Sequence, residues 1–151
     1  MQLNLKKELH LKQNRDSFTM PMACYHLTKE EKRKVLQFMT SIKFPDGFAS
    51  NVSRYIKGEE FQLSGMKSHD FYVFIQRILT IAIRGCLTKE VRQVLFELSE
   101  FFKKLCSKTS FLDVLQEEER NIALILCKLE LIFPPSFFDI MIHLMVHLPY
   151  E

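Results

Sequence analysis

The run FPPSFFDIMIHLMVHLPYE, Phe133 to Glu151, sets where one long helix must stop and another begins. Pro134 and Pro135 end any helix arriving from upstream, because proline lacks an amide proton and its ring clashes with the preceding turn. Ser136 is placed to cap a new helix over 136–148, with Asp139 at the third helical position in a capping-box-like pair. Nearly every residue from Phe137 to Leu148 is apolar. The polar exceptions, Asp139, His143 and His147, recur every fourth residue and form one stripe on an otherwise apolar helix.

Upstream of the prolines, Leu112, Leu115, Glu119, Ile122, Leu126, Leu129 and Phe133 are spaced alternately by three and four. Only Glu119 interrupts this seam. It can pack inside a bundle or pair with another chain. About three heptads is short for a free coiled coil, so bundle packing is the favoured reading. If the seam is exposed, Leu112, Leu115, Ile122, Leu126 and Leu129 are the candidate partner-binding residues. Ser107 to Ser110 separates it from a helix opened by Thr88, whose apolar face is Val91, Val94, Leu95, Leu98, Phe102 and Leu105. His69 to Arg84 is apolar on nearly all sides apart from Gln76 and Arg77, which predicts a buried helix capped by Ser68 and closed at Gly85. Its aromatic and β-branched residues also permit a strand at Phe71 to Ile75.

Toward the N-terminus, Asn51 to Lys57 reads as a short helix and Glu59 to Leu63 as a short strand or extended link. Phe44-Pro45-Asp46-Gly47 is a turn, since proline fixes φ and glycine accepts a positive one. Thr28-Lys29-Glu30-Glu31 is a capping box opening a helix to about Ser41, with Val35, Leu36 and Met39 on one side. Met1 to Gln13 has a short helical Leu/Lys pattern, and Arg15 to Met22 reads as a loop. Lys6, Lys7, Lys12, Arg15, Lys29, Lys32, Arg33 and Lys34 are candidate DNA contacts. A solvated edge is the favoured reading for them, because a handful of lysines gives only weak, salt-sensitive binding.

The chain has 151 residues, 21 basic and 18 acidic, for a net charge of +3. That length suits one domain able to bury about 68–70% of its unfolded surface. The charge excess is too mild to imply nucleic-acid binding by itself. Glycine (4) and proline (5) are scarce enough to disfavour a β-sandwich. Cys24, Cys86, Cys106 and Cys127 form no knuckle spacing, and no signal-like segment leads the chain, so reduced thiols in an intracellular protein are expected. No apolar run is long enough for a membrane span. Phosphate-binding glycine loops and nucleophile elbows are absent from the sequence, and no small-molecule substrate is evident. The expected fold is mainly α: a compact bundle of five or six helices with short irregular or extended connections. Residues 1–22 form a basic arm or short helix, and 23–151 a single helical domain.

The phrases ELHLKQ (8–13), ACYHLTKEEKRKV (23–35), KFPDGFASNVSR (43–54), GMKSHD (65–70), AIRG (82–85), KEVR (89–92), CSKT (106–109), ILCKLELIFPPSFFDIMIHL (125–144) and VHLPYE (146–151) together resemble one family. It is the domain of unknown function that follows the transposase domain in plant CACTA-type (En/Spm-like) transposons. The resemblance spans nearly the whole chain with its motif order intact. It implies a transposase-associated accessory domain lacking a complete catalytic core, not an enzyme, with a nuclear location and DNA reached through a transposase complex. In such transposases three acidic residues hold two metal ions in an RNase H-like core, because hard oxygen ligands suit Mg²⁺. The first two acids would lie upstream, and Glu151 is the candidate third. Where the family typically continues Lys67-Ser68-His69-Asp70 with Cys and His, this chain has Phe71 and Tyr72, and Thr80 replaces a proline often found there.

Three function classes follow, the last a weak, non-specific DNA-binding module acting through the basic residues given above. The first is a protein-interaction module, acting through apolar helix faces on a protein partner or a second copy, and needing no cofactor. The second is a nuclease or transposase subdomain, with His143, His147, His69 and Asp139 as candidate ligands of a divalent metal beside Glu151. A His-x3-His pair supplies two ligands where a structural site wants four. The simpler reading of the stripe is a solvent face, and of Ser68 and Asp70 a helix start.

Overall fold

The computed structural model describes residues 11–14, 17–19, 21–43, 52–57, 62–107 and 112–150. The Phe44–Gly47 turn, Lys6, Lys7, Arg15 and Glu151 lie outside them. The fold is mainly helical, as the sequence predicts, with two small antiparallel hairpins among the connections. Strand β1 (Lys12–Asn14) pairs with β2 (Ser17–Thr19), Lys12 facing Thr19. This corrects the helix-then-loop reading of 1–22 at those residues. Asn14 and Ser17, which face each other at the end of the pair, are turn formers.

Helix α1 (Lys29–Ser41) starts where the capping box requires. Thr28 Oγ1 accepts the Glu31 amide at 3.2 Å, and the Glu31 carboxylate accepts the Thr28 amide at 2.9 Å. Leu36 and Met39 on its inner face form a small core with Ile78 and Ala82. The expected helix at 51–57 is instead a 3₁₀ turn over Val52–Tyr55. Strand β3 (Ile56–Lys57) follows it and pairs with β4 (Gln62–Leu63).

The next helical run is continuous but not uniform: α2 (Ser68–Val73), a π turn (Phe74–Ile78) and α3 (Leu79–Ala82). Lys67, not Ser68, is the residue at its N-cap, and no side chain caps it. The run is not buried all round. Val73, Ile78 and Ala82 face inward, while Phe71, Tyr72 and Ile81 are exposed. In the π turn the Leu79 amide reaches back to the Phe74 carbonyl, five residues away. The Gln76 carbonyl within that turn accepts a hydrogen bond from Ser99 Oγ at 3.0 Å, and Gln76 Nε2 donates to the Phe102 carbonyl at 3.4 Å. A wide turn weakens local backbone pairing, and Ser99 brings a further donor to it. Gly85, at φ +90°, closes the run.

Helix α4 (Lys89–Leu105) carries the predicted apolar face and a further buried residue, Phe101, only 1% exposed. It packs on the helical run on one side and on α5 (Leu112–Ile132) on the other. Val94, Phe101 and Phe102 meet Ile122, Ile125 and Leu129 in the main core. The inner face of α5 follows Glu118, Ile122, Ile125 and Leu129, so Glu119 and Leu126 sit on its flank. The acid on the buried face is therefore Glu118, not Glu119. It is 2% exposed and accepts Lys104 Nζ at 2.6 Å and Asn121 Nδ2 at 3.2 Å.

After the prolines the expected single helix is broken. Pro135–Phe137 is a 3₁₀ turn, α6 is short (Ile140–Leu144), and Leu148–Tyr150 is again 3₁₀. Ser136 falls inside the first turn, and Asp139 does the capping, its Oδ1 accepting the Ile142 amide at 3.2 Å. Aromatic packing accounts for the break. Phe137 folds back onto Phe133 with ring centroids 4.4 Å apart, and Tyr25 stacks on Phe133 at 4.7 Å. That return turn uses the residues a helix start would need.

The Lys104–Glu118 pair generates a prediction. Its chief effect on Lys104 is a hydrogen bond that holds the ammonium protonated above the ordinary lysine value of 10.5. A raised lysine stabilises the fold fully below its unfolded pKa and loses that contribution as pH rises through the folded value. Near neutral pH, Lys104→Ala leaves a buried carboxylate short of a donor. A loss of about 1–2 kcal/mol in urea denaturation is expected, reduced by the half-exposed ammonium. Glu118→Gln, which keeps a neutral acceptor, should cost less.

A candidate docking groove

Asp70 occupies the third position of α2, where the helix dipole favours a negative charge. It is 6% exposed, and a buried carboxylate must be hydrogen-bonded to be tolerated. Tyr55 Oη donates to its Oδ2 at 2.6 Å. The Tyr55 carbonyl in turn accepts the Ser64 amide at 2.9 Å. Tyr55 therefore fastens the β3–β4 hairpin to the start of α2. Sequence reasoning placed Asp70 at a helix start but missed the tyrosine, which is fifteen residues away. His69 lies 3.6 Å from Asp70 and is largely exposed.

Beyond this anchored start, α2 turns Phe71 and Tyr72 outward. Together with Met66, Ser68 and Ile75, and with Phe102 of α4, they form one side of a groove of 560 Å³. The other side is the C-terminal segment, through Leu144, Met145 and Leu148. The Tyr72 and Phe102 rings meet edge to face at 6.4 Å. Leu148 and Met145 also pack against the main core, so the C-terminal wall is braced from behind. A second cavity of 620 Å³ lies between α1 and the helical run, lined by residues including Tyr25, His26, Lys32, Met39 and Phe74.

The sequence-derived candidates separate on this frame. His143 and His147 are exposed neighbours, ring centroids 5.7 Å apart, and Asp139 is engaged at the start of α6. Among the described residues no three His, Cys, Asp or Glu side chains group as a metal site, so His69 does not join His143 and His147. The seam proposed as a partner surface is largely internal: Ile122 and Leu129 are buried, and Leu115 and Leu126 half-buried. Leu112 opens α5, with its side chain outside the described residues. Among the described side chains of α5, the exposed large apolar ones are instead Leu124 and Leu131, with exposed Cys127 between them. Lys12, Lys32 and Arg33 are exposed, the first on β1 and the others on α1 beside Glu30 and Glu31. No described helix is long and apolar enough to cross a membrane.

Residues 105–151 match the family model described as Domain of unknown function (DUF4218). No curated protein and no solved structure matches the chain. The matched residues include α5 and the C-terminal wall of the groove, whereas the wall formed by α2 precedes them.

Loss of the Tyr55 hydroxyl should be felt at once. Tyr55→Phe keeps the ring but removes a donor from a buried carboxylate, and is expected to lower unfolding free energy by about 1.5–3 kcal/mol. Urea denaturation followed by circular dichroism measures it.

Proposed function

We propose that this chain is a protein-docking module, self-association included, and not an enzyme. The groove between α2 and the C-terminal segment is the observation that carries the reading. Phe71, Tyr72 and Leu144 stand exposed at a mostly apolar concavity, and such surfaces mark interaction sites more often than isolated apolar residues do. A partner helix with apolar anchors at helical spacing has the chemistry to fill it. The ridge Leu124–Cys127–Leu131, spaced three and four along α5, has that pattern, so a second copy is the occupant proposed.

Mobile-element origin, an accessory role beside a plant CACTA-type transposase, and a nuclear location are proposed from the resemblance. The family match supports a domain of unknown function where it overlaps the phrases CSKT, ILCKLELIFPPSFFDIMIHL and VHLPYE, and the transposon context comes from the resemblance alone. No cofactor is proposed, since docking of this kind requires none.

Groove against ridge is a head-to-tail contact, which builds rings or open chains. Sedimentation velocity across micromolar concentrations is expected to show species growing beyond the monomer. Tyr72→Asp in the groove and Leu131→Asp on the ridge should each abolish them while leaving helical content unchanged. A monomer at every concentration, or association untouched by both substitutions, overturns the homotypic reading.

A further inference from the structure

At the opposite end of the helical run lies a cleft of different character. Thr80, Ile81 and Arg84 of the run face Lys89, Arg92, Gln93 and Phe96 of α4 across a cavity of 390 Å³, with Gly85 at the turn between the two helices. The α4 residues recur at three, four and seven positions, so they share one face. No carboxylate lines this cavity. Among the described residues none of its cations makes an ion pair, whereas Lys103, Lys104 and Lys128 all do. Arg92 is half-buried, and its Nε has no hydrogen-bond partner among the described residues.

We propose that this cleft binds the phosphate of a nucleotide, with the base laid against Phe96. Paired arginines and a lysine match a phosphate dianion, the guanidinium fork being shaped for two of its oxygens. The cavity is larger than a phosphate needs, and its remaining walls are the exposed Ile81 and Phe96 with the neutral hydrogen-bonding groups of Thr80 and Gln93. An exposed phenyl ring beside a phosphate site suits a stacked base. Glu90, in the first turn of α4, does not line the cavity. Its carboxyl is held below the usual range first by its own backbone amide and then by the Thr88 hydroxyl, with Lys89 and Arg92 adding to the effect.

Calorimetric titration of the intact chain with AMP, adenosine, phenyl phosphate and inorganic phosphate tests the assignment. AMP is expected to bind in a salt-sensitive manner and adenosine not at all. Arg92→Gln and the more exposed Arg84→Gln should each weaken AMP by about tenfold or more, and Arg33→Gln on α1 should change nothing. Phe96→Ala should weaken AMP while leaving inorganic phosphate unaffected. Absence of saturable AMP binding, or binding unaltered in both arginine variants, overturns the site. Phenyl phosphate binding more tightly than AMP overturns its assignment to a nucleotide.

Discussion

Helix α4 must satisfy neighbours on two sides, and most of the architecture follows from that constraint. Consecutive helical residues point about 100° apart, so Phe101 and Phe102 address different surroundings although their rings touch at 5.4 Å. Phe101 closes the core against α5. Phe102 extends to Tyr72 and forms the floor of the groove. Between these faces the fully buried Ser99 holds the π turn of the preceding run. The positions of α2 and α3, and with them the groove and the basic cleft, are set by how α4 is flanked.

Features governed by local chemistry were legible in the sequence. The capping box at Thr28, the stop at Pro134 and Pro135, and the turn glycine at position 85 each depend on residues within one turn of each other. The seam of α5 was legible at Ile122 and Leu129, which are buried, and at Leu126 and Phe133, which pack against the same core, and it misplaced the acid. Three-four alternation fits two adjacent faces of a helix, and only the partner decides between Glu118 and Glu119. Phe101 was missed because it lies off the series that defined the apolar face of α4. The Tyr55–Asp70 bond joins elements that no periodicity connects. The last helix fragmented because Phe137 stacks on Phe133, a preference for aromatic contact that a capping pattern cannot register. The strands of the two hairpins are too short to produce an alternating signal, and only β4 fell inside a stretch read as a strand or extended link.

Net charge was informative only as a sum. A balance of +3 suggests an unremarkable surface. The structure distributes that charge unevenly, with Glu97, Glu100 and Glu118 each neutralising a lysine. Arg84, Lys89 and Arg92 remain together at one end of the helical run, and an apolar groove lies at the other. One continuous run thus presents two kinds of surface, selected by which end of α4 it meets.

Gly85 sits where the run hands over to α4, at φ +90°, and the space where a Cβ would stand is open. Smallness is therefore not what this position demands. It demands a mirror-image backbone, which ordinary side chains resist and a D-amino acid would adopt without strain. The angle at which the two walls of the basic cleft diverge rests on the stereochemistry of a single achiral residue.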